Sequence, residues 1–270
     1  MRSALLSLFA TAALVSAADP PKADEKKAAT VAQLEKRLAG IKADAPKEER
    51  AKEFASIGDA FMSVREPAKA VEAFTKSLDA VADANVRNRR GHAYTWAGKF
   101  AEAVADYDAF LKVNPKLEQE HWQRGIALYY AGKFEDGVKQ FETHKKFNPQ
   151  DVENAAWHYL CNVKVVGKEK AQKELIDVTR DARVPMAEIQ KLFAGKLKPE
   201  DVLAVAEKTK GAERAEARFY ANLYVALWYD VEGDAKKVKE HLTVAVEKYE
   251  ISHYMWDVAN AHLQTLKAKK

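Results

Sequence analysis

The stretch Asn88-Arg89-Arg90-Gly91-His92-Ala93-Tyr94 returns as Trp122-Gln123-Arg124-Gly125-Ile126-Ala127-Leu128. Ala97-Gly98-Lys99-Phe100 returns as Ala131-Gly132-Lys133-Phe134, Tyr107 as Phe141, and Asn114-Pro115 as Asn148-Pro149. Every match lies 34 residues downstream. A period of that size with helical spacing marks stacked helix–turn–helix units. Gly91 and Gly125 fall mid-helix, where glycine costs about 1 kcal/mol against alanine. The cost is repaid if the missing side chain lets a neighbouring helix come close. Phe100, Phe134, Tyr107 and Phe141 are then the residues that fill the space between the two helices. Ala103, with Gly137 in its place one repeat later, is the small contact on the second helix. Gly98 and Gly132 end the first helix in a left-handed turn. Pro115 and Pro149 close each unit, since proline tolerates a helix start but not an interior.

Working outward, Gly58, Ala60, Ala70 and Phe74 fit the same template, with Gly58 33 residues before Gly91. Residues 151–182 keep the helical spacing with Gly167 and Ala171, but Tyr159 replaces the mid-helix glycine. Residues 185–208 read as two short helices out of register, started by Pro185 and Pro199. Tyr224, Trp228, Gly233, Leu242 and Ala245 fit a last repeat, and Ile251 to Leu266 a capping helix. The expected organisation is a leader over 1–18 and a flexible lead-in with a short helix over 19–45. Four repeats follow over 46–182, the fourth degenerate. Irregular helices span 183–212, a C-terminal repeat 213–250, and a cap with a basic tail (Lys267, Lys269, Lys270) 251–270.

The glycine, alanine, aromatic and proline positions over about 48–250 resemble the tetratricopeptide family. The resemblance implies an all-α superhelix of antiparallel helix pairs, here with a degenerate middle and a C-terminal capping helix. A narrower resemblance rests on Arg124-Gly-Ile-Ala-Leu-Tyr-Tyr-Ala-Gly-Lys133, Trp157-His-Tyr-Leu160, Phe193-Ala-Gly195 and the Tyr224–Ala245 repeat. In order and spacing these look like the NlpI family of bacterial lipoproteins. That family implies an often dimeric, non-catalytic adaptor outside the inner membrane, which brings a processing protease together with peptidoglycan hydrolases. This chain departs from the family at its front, where the lipid-bearing cysteine is missing.

The front reads MRSALLSLFATAALVSAADPP. A basic start, a short apolar run from Ala4 to Val15 and small residues at Val15–Ala18 make a secretory signal pattern; an uncleaved anchor or an ordinary first helix is the alternative. The expected product is a soluble periplasmic protein with no stable membrane anchor. Residues 18–29, rich in Lys, Asp, Pro and Ala, are expected to be flexible.

The 270 residues are 47% hydrophobic and 31% charged, a balance that buries a core. Only 11 glycines and 8 prolines speak against an all-β fold with its many tight turns. The net charge is 44 − 40 = +4 with both signs interspersed, which disfavours nucleic acid. The single cysteine, Cys161, excludes a disulfide framework and reads as a core thiol. No metalloprotease pair, phosphate loop or nucleophile elbow occurs, so neither an enzyme nor a cofactor is expected. His92 and His121, on adjacent first helices, lack the further ligands a metal needs. Asp106 and Asp108 read as surface charges beside the packed Tyr107.

What remains is the concave face. The repeat register lines it with Arg89, His92, Trp96, Trp122, Gln123, Ile126, Tyr129 and Tyr130. Trp and Tyr offer large apolar contact with few rotors to freeze, and Arg adds a fork for carboxylates. A peptide or helix with aromatic anchors is the expected ligand; packing against the neighbouring repeat is the alternative for each aromatic. A clamp for a terminal carboxylate is disfavoured, because its positions hold Ala55, Asp59, Arg89, Gln119 and Gln123. Protein partners follow, with a homodimer, a self-assembling structural protein or an envelope assembly or secretion factor as rival readings.

Overall fold

A computed structural model describes residues 23–268. The leader over 1–18 and the last two lysines lie outside them. The described residues form fourteen α-helices and two short 3₁₀ turns, and no strand. The helices are α1 (Ala23–Ala39), α2 (Lys47–Ser63), α3 (Pro67–Ala80), α4 (Ala84–Trp96), α5 (Phe100–Val113), α6 (Trp122–Tyr130) and α7 (Phe134–Phe147). Then come α8 (Val152–Val166), α9 (Lys168–Lys173), α10 (Met186–Phe193), α11 (Pro199–Lys208), α12 (Arg214–Glu232), α13 (Ala235–Lys248) and α14 (Tyr254–Ala268). No described helix is long and apolar enough to cross a membrane.

Local chemistry sets the boundaries. Asp83 caps α4 by accepting from Asn85 N and Val86 N at 2.7 and 3.2 Å, and His121 caps α6 through Arg124 N at 3.2 Å. Gly98, Gly132 and Gly233 end α4, α6 and α12 with φ of 71°, 75° and 76°.

Pairs α2/α3, α4/α5 and α6/α7 are built on one device. A Cβ on Gly58, Gly91 or Gly125 would stand 2.6, 2.5 or 2.5 Å from the ring of Phe74, Tyr107 or Phe141. All three rings are essentially fully buried. Each glycine therefore makes room for an aromatic of the second helix sixteen positions on. A polar strut repeats at the same spacing: Arg90 forks onto Asp106 at 2.7 and 2.9 Å, and Arg124 donates to Gln140 at 2.9 Å. Asp106 is thus buried inside this strut and not at the surface as the sequence suggests; only Asp108 is exposed, paired with Arg124 at 2.7 Å.

Downstream the device fails. Tyr159 sits in the glycine's place, fully buried against Phe193 at 5.3 Å. The second helix of that unit, α9, has six residues and brings no aromatic. Helix α10 packs against α8 alongside α9. Two further departures concern the ends. The chain is helical from Ala23, inside the stretch expected to be a flexible lead-in, and Leu34, Val31 and Leu38 pack α1 onto the first repeat. And α14 does more than cap α13: it runs back to α4 in the second repeat.

The buried apolar residues form separate clusters. One belongs to α1–α4, centred on Phe61 and Phe74; a small one lies between α5 and α6; the largest runs from Ile126 to Leu263.

Candidate functional site

Helices α4 and α6, the first of their pairs, meet α14, which returns to them from the C-terminal end. Tyr254 opens α14 and enters between His92, Trp96 and Trp122, with ring centroids 5.6, 5.9 and 5.1 Å away. Its hydroxyl is 3.4 Å from that of Tyr107. Two turns on, His262 Nδ1 meets the Tyr130 hydroxyl at 3.1 Å. Residues 254, 258, 261, 262 and 265 share one helical face, so α14 offers this stripe to α4 and α6.

The eight groove residues therefore divide. His92, Trp96, Trp122 and Tyr130 touch α14. Ile126 and Tyr129 are core, the latter donating to Asp230 at 2.7 Å and packing on Trp157. Gln123 stays half-buried, and Arg89 bonds Asp59 at 2.5 Å on the rim of an open 370 Å³ hollow with Ala55 and Ser56. For these aromatics, packing against the chain itself is the arrangement found.

Beside the filled part lies an open cleft of about 940 Å³. Met62, Val64 and Trp96 form one wall and Ile251, Tyr254 and Trp256 the other. Arg65 bridges the two. Its Nε lies 3.1 Å from Asp257, its Nη2 donates to the Ile251 carbonyl at 3.0 Å, its Nη1 pairs with Glu250, and its guanidinium sits 4.0 Å over the Trp256 ring. Burial pushes the Asp257 carboxyl up to about 6, against the pull of Arg65. The groove register does not point to Arg65. The signal that finds it is its place seven residues after Gly58, where Gly98 and Gly132 follow Gly91 and Gly125. Among the described residues it is the one non-glycine with positive φ, 54°.

An inner cavity of about 180 Å³ lies between Trp122, Trp157 and Met255. Arg183 edges it, bound to Glu153 at 2.6 Å, Asp151 at 2.8 Å and Asp181 at 2.6 Å, while Tyr224 donates to Glu153 at 2.8 Å. Burial pushes Glu153 up to about 7.

The groups with catalytic potential are engaged or shielded. Burial raises the Cys161 thiol far above its ordinary range, and its Sγ fills the space at Gly137. Burial pulls His92 and His121 down to about 4. The two flank Tyr107 on different sides, and His121 is spent on capping α6 and on Asn88 at 2.8 Å. No cluster of three metal-ligating side chains occurs among the described residues.

No protein-family model matches the chain. A stretch of 59 residues, 22% of the chain, is 41% identical to tetratricopeptide repeat protein 21A of Homo sapiens, and spans about 4% of that protein's length. A crystal structure of a tetratricopeptide repeat protein from Parabacteroides merdae ATCC 43184 superposes with a TM-score of 0.51 at 14% identity, covering 90% of this chain and 96% of that one. At that identity the likeness speaks for the fold. With the repeated glycine–aromatic pairs, it shows an all-α superhelical repeat fold, similar to that of a tetratricopeptide repeat protein.

Proposed function

We propose that this chain is an exported, non-catalytic scaffold that holds segments of other proteins on its concave face. The observation that carries the reading is the face's own occupant: its aromatics already take an α-helix of this chain, so their spacing suits a helical polypeptide. The open 940 Å³ cleft alongside leaves room for a foreign segment. The signal-like front supports export to the periplasm, and the resemblance to the NlpI family supports the cell envelope, with a processing protease and a peptidoglycan hydrolase as partners. The shielding of Cys161, His92 and His121 supports docking over catalysis. A photocrosslinking residue in place of Met62, in the full chain within cell-envelope extract, should capture a small set of envelope proteins. The same residue at exposed Lys139 on α7 should not. Equal labelling from both positions would remove the concave face from the reading.

A second reading, self-assembly, has one observation behind it. Val113 and Phe147 occupy equivalent positions of adjacent repeats and are 64% and 51% exposed. Each ends the second helix of its unit, just before the closing Asn-Pro. Light scattering that finds an oligomer, lost in Val113→Ser/Phe147→Ser, would favour it; a monomer excludes it.

A further inference from the structure

We propose that residues Glu250–Asp257 stand in for a partner's acidic, aromatic peptide, clasped in the open cleft by Arg65, and that such a peptide docks by taking Arg65 from Glu250 and Asp257. The inference rests on the concave face being a protein-binding surface and names the partner's chemistry.

Three independent observations carry it. The first is the backbone of Arg65. Repeats two and three put glycine at this turn, and a side chain in the left-handed region is strained. Arg65 accepts that conformation, and its guanidinium spends every contact noted above on residues 250–257. Departures from a local rule are expected at functional or strained sites.

The second is where the molecule is thin. Met255, Val258, Ala259 and Leu263 root α14 in the largest core cluster, while the α1–α4 cluster is separate. Between the first repeat and the C-terminal segment stands chiefly the Arg65 clasp, while the Tyr254 contacts fall on the second and third repeats. Releasing the clasp parts Arg65 from Trp256 and Asp257 without drawing a buried residue out of either cluster.

The third is the chemistry left unsatisfied on α4. Trp96 Nε1 and His92 Nε2 are both buried and have no hydrogen-bond partner. Such groups carry a desolvation cost until a partner arrives, an acceptor for the indole N–H and either kind for the imidazole nitrogen. Peptide carbonyls or a carboxylate beside Tyr254 would supply one. The resident segment reads Glu-Ile-Ser-His-Tyr-Met-Trp-Asp, with a carboxylate at each end and two aromatics between. The guanidinium already binds both carboxylates and stacks on an indole, so a partner offering the same groups competes for the same contacts.

The test uses the full chain and a fluorescein-labelled peptide with the sequence of residues 250–257, read by fluorescence anisotropy. Glu250→Gln/Asp257→Asn frees Arg65 without creating a cavity. This variant should bind the peptide about tenfold more tightly than the unaltered chain, because the competing internal segment is weakened. A peptide with Gln and Asn for its two acids should bind neither protein, and Arg65→Gln should abolish binding in every background. Equal affinity of the two proteins, binding of the neutral peptide, or binding that survives Arg65→Gln would each overturn the proposal. If circular dichroism shows the double variant to be unfolded, Glu250→Gln, at an exposed carboxylate, replaces it with a roughly threefold gain expected by the same competition. Photocrosslinked partners at Met62 without peptide competition would sink the clasp and leave the scaffold standing. Loss of both would sink the two together.

Discussion

Pairs α4/α5 and α6/α7 keep a glycine on the first helix and an aromatic on the second, whereas the pair α8/α9 carries Tyr159 in the glycine's place and no aromatic on α9. In the first two, Gly91 and Gly125 open a slot that Tyr107 and Phe141 fill, and the second helix runs its full fourteen residues. In the third, Tyr159 fills the slot from the other side, and the second helix stops after six. Close approach of two helices is decided by volume: the first helix either keeps a void for its partner's ring or supplies a ring of its own, as α8 does with Tyr159. The irregular middle is thus not a repeat that has merely decayed. Its tyrosine has its own neighbours, Phe193 among them, and belongs to a different packing solution.

Restoring glycine should not restore the repeat. Tyr159→Gly removes a fully buried ring and should cost about 4 kcal/mol in chemical denaturation, with no lengthening of α9. A neutral or stabilising result would mean the third pair is a regular unit held out of shape. The reverse change, Gly125→Ala, drives a methyl to 2.5 Å from Phe141 and should cost about 3 kcal/mol. Gly132→Ala, with open space around it and φ of 75°, should cost only about 1 kcal/mol, for backbone strain alone. Equal penalties would show that conformation, not volume, sets the price at Gly125.

The two regions should also answer pH with opposite signs. His121, in the regular part, is pulled from 6.5 to about 4, so the folded state binds its proton more weakly than the unfolded chain. Its contribution is present above pH 6.5 and is lost as pH falls towards 4. Glu153, in the irregular part, is pushed from 4.5 to about 7. Its contribution is full below pH 4.5 and is lost as pH rises through 7. Each effect should amount to roughly 2 kcal/mol. Stability measured from pH 4 to 7.5 in His121→Asn and Glu153→Gln should show the acid loss shrinking in the first and the alkaline loss in the second. Parallel changes in both would refute the separation. The smallest effect belongs to the turn that ties the regular end to the irregular one. Arg65→Gly relieves the left-handed strain and should be more stable than Arg65→Ala by about 1 kcal/mol. Identical melting temperatures would show that the turn carries no strain.

Much of this architecture is legible along the chain because glycine and aromatic residues sixteen apart leave a local trace at each repeat. The candidate site is less so. The register groups His92, Trp96, Trp122 and Tyr130 together, but it cannot see that α14 returns to cover them. Asp106 looks like any surface aspartate until Arg90 closes on it from another helix. Arg65 leaves a trace only when the turn glycines of the next two repeats are set beside it.

Short-range pattern, then, was enough to establish helix pairs, their small and large contact positions and the place where the period fails, since each depends on residues within one or two turns or one repeat. The closure of the superhelix was settled only in three dimensions. Arg65 and Asp257 meet although 257 − 65 = 192 positions separate them, and a contact of that span is chosen by the summed curvature of all the packed pairs between them, which no single stretch of residues encodes.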